Sequence, residues 1–189
     1  MLLHLGRLAH GDKRIAGLTP AQWTVLRYFG SANRVSRTAS AFASFHCTTR
    51  GTASQTIKSL VGGGYLERTR SERDGRSARL DLSLKGRAAL AEDPFRTLVD
   101  AIDRLPPGLA ARFGSVVERL AFDVSWARAA PTFGSCEQCC HLGQNFAVDG
   151  KISPYYCLCA DEALAAEELN LLCVDFEAAQ SRRSERLRR

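Results

Sequence analysis

No stretch of this 189-residue chain is long and apolar enough to be read as a membrane-spanning helix. The N-terminus begins with Leu2 and Leu3 but lacks the long apolar run and the small-residue cleavage site of a secretory leader. There is no internal repeat. A paired nucleophile and base is missing, as is a glycine-rich phosphate loop, so no motif points to an enzyme. These absences predict a cytoplasmic, non-enzymatic protein with no membrane partner. In that compartment thiols stay reduced, so clustered cysteines read first as metal ligands or redox groups and only then as structural disulfides.

What is present is a folded composition, 45% hydrophobic and 24% charged, with a formal net charge of +6. The length suits one domain with an appendage or two small domains. A basic balance favours negatively charged partners, chiefly nucleic acid or an anionic membrane surface. Its distribution is uneven: Arg68, Arg70, Arg73, Arg76 and Arg79 crowd one short segment, and Arg182, Arg183, Arg186, Arg188 and Arg189 crowd the C-terminus.

Along the chain, residues 2–13 suggest a short helix. Thr19 and Pro20 then have the cap and first-turn chemistry of a second helix, with Trp23, Leu26, Tyr28 and Phe29 on its buried face. A third helix is expected from Ser36, carrying Ala39, Phe42 and Ala43, and a turn at 45–49 follows. A fourth, rich in short polar side chains, is expected from Arg50 to Val61. Helix, turn and polar helix form the layout of a helix-turn-helix. Alternating residues then flank Asp74-Gly75-Arg76, which is the pattern of a basic β-hairpin, or wing, spanning about 65–84. Short polar side chains on the fourth helix suit close approach to base edges in a major groove: Thr52, Ser54, Gln55, Thr56 and Lys58 are the candidates. Arg73 and Arg76 on the wing are candidates for minor-groove or phosphate contact, with Asp74 holding the turn. Beyond the wing, the apolar residues Leu109, Phe113, Val116, Val117, Leu120, Val124 and Trp126 mark a long amphipathic helix in need of a partner.

The segment from Leu18 to Leu26 (LTPAQWTVL), Thr52-Ala53-Ser54 with Leu60, and Asp74-Gly75-Arg76-Ser77 followed by Leu82 to Gly86 carry a resemblance to the MarR family of bacterial winged-helix regulators over roughly residues 5–127. The resemblance implies a mainly α fold with a small β-wing that dimerises through its terminal helices. It also implies a homodimer on a pseudo-palindromic double-stranded DNA operator. The first helix is short for the family. The predicted organisation is a DNA-binding and dimerisation domain over 1–128, a cysteine-rich extension over 129–180 and a basic tail over 181–189.

Six of the seven cysteines lie in that extension. Cys136 and Cys139 have the C-x2-C spacing that turns two thiolates onto one metal ion or cluster, and a second pair is needed from downstream. A helix expected over 165–178 places Cys173 on an inward stripe with Leu169, Leu172 and Phe176. The preferred ligand set is Cys136, Cys139, Cys157 and Cys173, with Cys159 as the alternative fourth ligand. Cys140 and His141 are further alternates, Cys140 being expected to point elsewhere and His141 to be solvated. Cys47 is expected to be a small buried residue. More loosely, the extension is similar to regulators of this type with a C-x2-C, a following cysteine segment and a final helical cysteine. That resemblance leaves the cofactor open.

Three chemistries fit: an iron–sulfur cluster (4Fe–4S or 2Fe–2S), zinc, or bare thiols forming disulfides. The leading expectation is a DNA-binding regulator whose operator binding is modulated by an iron–sulfur cluster. The alternatives are a zinc-stabilised regulator responding to a small ligand or to thiol oxidation, and an electron-transfer protein that uses a winged helix as an interaction module.

Overall fold

The structure, a computed structural model, describes residues 1–10, 17–70, 78–148 and 151–179. The wing residues Arg73 and Arg76 and the basic tail lie outside the described residues. The chain divides into two compact units. One comprises Met1–Gly30, Ser54–Thr69 and Leu80–Ala130; the other comprises Ser31–Ala53, Arg70–Arg79 and Pro131–Arg189.

The first unit is helical. Helix α1 covers Leu2–His10 and α2 covers Pro20–Ser31. Thr19 opens α2 with a reciprocal cap: Gln22 N–H donates to the Thr19 hydroxyl, and the Gln22 side chain accepts from Thr19 N–H at 2.8 Å. Trp23, Val25, Leu26, Tyr28 and Phe29 are buried on α2, and Ile57 and Leu60 come from α4, which covers Arg50–Gly62. The Gln22 amide ties α2 to α4 through Ser59 Oγ at 3.0 Å. Gly64, at φ +75°, turns the chain out of α4 in the left-handed conformation that glycine takes without strain. The wing is an antiparallel pair, β1 (Leu66–Arg70) and β2 (Ala78–Leu82). Ser83 closes it: its hydroxyl donates to Gly64 O at 2.6 Å and accepts from Gly86 N, capping α5 (Leu84–Ala91). A Cβ on Gly86 would collide with the Tyr65 carbonyl oxygen, so the residue at that position has to be glycine. Arg27 forms a two-pronged pair with Asp93 at 2.7 and 2.6 Å and lies over the Phe95 ring, fixing the turn into α6 (Arg96–Asp103).

Helix α7 (Pro107–Ala127) buries none of its residues. Leu109, Val116, Val117, Leu120, Val124 and Trp126 are all exposed, as are Leu2, Leu3 and Leu8 of α1. Among the described residues no helix is long and apolar enough to cross a membrane.

The second unit joins helix α3 (Ala39–Phe45) to the cysteine segment. Helix α3 begins three residues later than the expected Ser36, because Thr38 is its cap, accepting from Ala41 N at 3.1 Å. Ser36 is held elsewhere: its N–H meets Asn33 Oδ1 and its hydroxyl accepts from Val174 N at 2.8 Å. Strand β3 (Gly134–Ser135) pairs with β7 (Leu172–Cys173), in the register Gly134↔Cys173. Strands β4 (Leu142–Val148), β5 (Lys151–Cys157) and β6 (Glu162–Ala163) form a three-stranded antiparallel sheet.

This corrects the helix expected over 165–178. Only a single 3-10 turn forms there, Ala166–Glu168, and Cys173 lies on a strand. The apolar spacing that suggests a helix belongs to side chains engaged by distant partners. Leu172 pairs with Ser135 and with Ala32, while the Phe176 ring fills the space a Cβ on Gly134 would need.

Candidate metal centre and nucleic-acid interface

Three segments deliver the thiols. Cys136 opens a 3-10 turn (Cys136–Gln138) directly after β3 and is buried. Cys157 ends β5, opposite Leu142 on one side and Glu162 on the other. Cys173, also buried, arrives on β7. Cys136 and Cys173 share a thiol–thiol hydrogen bond. That bond, followed by burial, pushes Cys136 well above the ordinary thiol range. The same bond lowers Cys173 to about 6 against its burial, helped by N–H donors from the Asn33 side chain and the Asp175 backbone.

Burial pushes Cys157 up, and backbone N–H groups of Ala160 and Cys159 oppose it, Ala160 N standing 3.3 Å from the sulfur. Cys139 and Cys173 lie near enough to repel its charge. Cys159 is exposed; its thiol is raised by partial burial and then by the Asp175 carboxylate. The structure thus brings Cys136, Cys139, Cys157 and Cys173 together, with Cys159 at their edge. Of the two candidates for a fourth position, Cys173 is the one in contact with Cys136.

Asn33 was not anticipated as a site residue. Its Nδ2 donates to Cys136 Sγ at 3.8 Å, and its backbone N–H donates to Leu172 O at 2.9 Å. Arg34 beside it reaches Glu162 at 3.4 Å, Glu168 at 3.7 Å and the Ala163 carbonyl at 2.9 Å. The segment leading into α3 is therefore laced to the cysteine segment. No local signal reveals this, because Asn33 and Cys136 are 103 positions apart.

Cys140 has a different set of neighbours. It meets His141 and Glu177, and one ligand atom from each of the three lies within 4.8 Å of the others. His141 is not solvated as anticipated: its side chain is 17% exposed, with Nε2 3.1 Å from Glu177 Oε2. Cys47 also departs from expectation. It is exposed, at φ +48° just past the end of α3, in a shallow cleft with Ser40, Ser44 and Arg50.

On α4, Ala53, Ile57 and Leu60 point inward. Thr52, Gln55 and Lys58 are exposed, and Ser54 and Thr56 are half-buried. The Thr49 hydroxyl caps the helix through Thr52 N at 3.1 Å and meets the Thr52 hydroxyl at 2.9 Å. Arg50, exposed on the first turn, is a basic neighbour that the sequence reading of the helix passed over.

Comparison with curated proteins finds none that matches. The profile of the MarR family matches residues 16–77. The fold is similar to that of a MarR transcriptional regulator from Methanosarcina mazei Go1, with 21% identity, 67% of this chain and 91% of that chain covered, and a TM-score of 0.52. It is also similar to the transcriptional regulator SlyA, with 17% identity, 67% and 92% covered and a TM-score of 0.53. The likeness to the MarR family of transcription regulators thus lies in residues 16–77 of this chain.

Proposed function

We propose that this chain is a homodimeric DNA-binding regulator whose operator binding is modulated by an iron–sulfur cluster held by Cys136, Cys139, Cys157 and Cys173. The exposed apolar faces of α1 and α7 support a dimer built from the terminal helices, the arrangement a two-fold regulator needs to read a pseudo-palindromic site. In this reading Thr52, Ser54, Gln55, Thr56 and Lys58 of α4 face the major groove, while Arg73 and Arg76 contact the backbone or minor groove.

The observation that carries the cluster is the spacing and solvation of the thiols. A tetrahedral zinc ion with Zn–S bonds near 2.3 Å holds its thiolates about 3.8 Å apart. Among the described residues, the only three ligand groups mutually within 4.8 Å are Cys140, His141 and Glu177. The four-thiol set is wider than one zinc ion requires, and a cluster, whose separate irons each take a thiolate, suits the wider spread. N–H groups of Asn33, Ala160, Cys159 and Asp175 also converge on three of the sulfurs. Hydrogen bonds to sulfur stabilise thiolates and set the reduction potential of such clusters. When bound, the cluster supplies a one-electron redox centre and a group sensitive to oxidants.

The chain's own residues supply the coupling. Asn33 binds Cys136 with its side chain and Leu172 with its backbone, three residues before Ser36, which holds Val174 and leads to the Thr38 cap of α3. A change of charge or geometry at Cys136 pulls on this segment and so on the first helix of the helix-turn-helix.

The test is a visible absorption spectrum of protein purified without oxygen, with iron, sulfide and zinc assayed on the same sample. Operator binding is then compared in oxidised, reduced and metal-free forms. A brown protein with matched iron and sulfide, and DNA affinity that changes with cluster state, is expected. A colourless protein with no iron sinks the cluster and leaves a zinc-stabilised regulator, in which redox change does nothing specific.

A further inference from the structure

We propose that Cys140, His141 and Glu177 form a second inorganic site, for zinc, separate from the four-thiol set and selective by its mixed donors. The three residues offer a thiolate, an imidazole nitrogen and a carboxylate oxygen within 4.8 Å of one another. Sulfur, nitrogen and oxygen together suit a borderline ion such as zinc better than calcium or magnesium, which take oxygen, or an all-thiolate cluster. The 3.1 Å between His141 Nε2 and Glu177 Oε2 is close to the roughly 3.3 Å that two tetrahedral ligands at about 2.0–2.1 Å from zinc would show. Three protein ligands leave a fourth position for water, and the trio is only half-buried, so an ion can enter.

The backbone separates the two sites. Cys139 is extended, at φ −90° and ψ 137°, so its side chain and that of Cys140 leave on opposite faces. Cys139 interacts with Cys157 and Cys159, whereas Cys140 joins His141 and Glu177. The backbone also brings the trio together without an ion. Cys140 N–H donates to Glu177 O at 2.8 Å, and Cys139 pairs with Ala178 in an isolated bridge. An ion bound here clamps the 139–141 turn to the 177–178 segment. It thereby steadies the turn that carries Cys139, which the backbone already holds without the ion.

The experiment uses the full-length protein, purified anaerobically, supplied with zinc and desalted. Zinc and iron are then measured in the wild type and in Cys140→Ser, His141→Ala, Glu177→Gln and Cys157→Ser. The wild type should retain about one zinc per chain. Cys140→Ser and His141→Ala should lose it with the iron content little changed. Cys157→Ser should keep zinc while losing iron. Glu177→Gln, nearly isosteric, should leave far-UV circular dichroism unchanged and weaken zinc retention against a chelator at least about tenfold. Cobalt(II) in place of zinc should give a thiolate charge-transfer band that disappears in Cys140→Ser. Stoichiometric zinc in both Cys140→Ser and His141→Ala, or a wild type that takes up none, overturns the proposal. Zinc lost only in Cys157→Ser overturns it too, and places the ion on the thiols. Because the readout is zinc, an absence of iron would sink the cluster reading and leave this one standing.

Discussion

Around Trp23, Leu26 and Phe29 the chain closes on hydrocarbon, whereas around Cys136 and Cys173 it closes on sulfur. In the first unit, large side chains from α2, α4 and the wing are fully buried, and Leu26 and Leu60 expose nothing to solvent. Contacts of that kind stabilise a fold without any ligand. In the second unit, the buried cluster within the cysteine segment is Cys136, Leu164 and Leu169, with Leu142, Tyr155 and Cys157 packed against it. Its strands β3, β6 and β7 are two residues long. Segments so short, around so few aliphatic groups, gain much from a staple. The comparison teaches that one part of a small chain can be held by packing while another, with little apolar surface to close on, offers thiols that a ligand could tie together.

The sharpest break of this comparison is removal of the staple. Cys136→Ala and Cys173→Ala each should strip the four-thiol set of its metal, and with it a metal-linked folding energy on the scale of about 10 kcal/mol. Limited proteolysis should then cut within 131–179 while the unit around Trp23 stays resistant. If both variants keep their metal, the ligand set is wrong. The converse is Leu26→Ala, which empties a fully buried site and should cost about 2–5 kcal/mol in urea unfolding of the helical unit. Metal content at low urea should be unchanged. Loss of metal in step with the helical signal would mean that the two units unfold as one, and the contrast between them would fall.

The same contrast explains what the sequence revealed. The hydrocarbon-closed unit was legible because its signals are local. Thr19 and Pro20 announce α2, the short polar side chains from Thr52 to Lys58 mark α4, and the alternation of Leu80 and Leu82 marks β2. The thiols were legible as a group from the C-x2-C spacing, but the route that sets Cys173 beside Cys136 was not. Its apolar periodicity suggested a helix, whereas it is held as a strand by Gly134 and Ser135, nearly 40 positions away. The β4–β5 hairpin had a readable sign in Asp149-Gly150 between alternating segments. Pro154 masked it: with no N–H to give, it stands opposite Asn145 without pairing, and Asn145 takes φ +51° there. Asn33, Glu177 and the burial of His141 depend on long-range closure, which no window of sequence displays.

A smaller change probes the joint between sulfur and helix. Asn33→Ala deletes the side-chain donor to Cys136 but leaves the backbone bond to Leu172. Loss of such an outer partner costs about 10–100-fold in metal affinity. Metal retention against a chelator should fall by that factor, with α3 still formed. Operator binding should also become less sensitive to cluster state. Retention equal to the wild type would make Asn33 a purely structural residue and remove it from the coupling path.

The smallest expected effect lies on the hydrocarbon-closed side, at the exposed face of α4. Lys58 is exposed there, and as a point charge it suits phosphate more than a base edge. Lys58→Ala should weaken binding to all DNA sequences alike and reduce the salt slope by about one. Gln55, exposed one turn earlier, has the amide that pairs with adenine, so Gln55→Ala should cost about 1–3 kcal/mol at one base position and little elsewhere. Neither change touches the thiols, so metal content and spectrum should match the wild type. A spectral change in either variant would mean that α4 and the sulfur centre communicate in both directions, as linkage requires if DNA and cluster state are coupled. Measured on the DNA-bound protein, that reciprocity is the stricter test: a cluster that alters operator affinity must have its own potential altered by the operator.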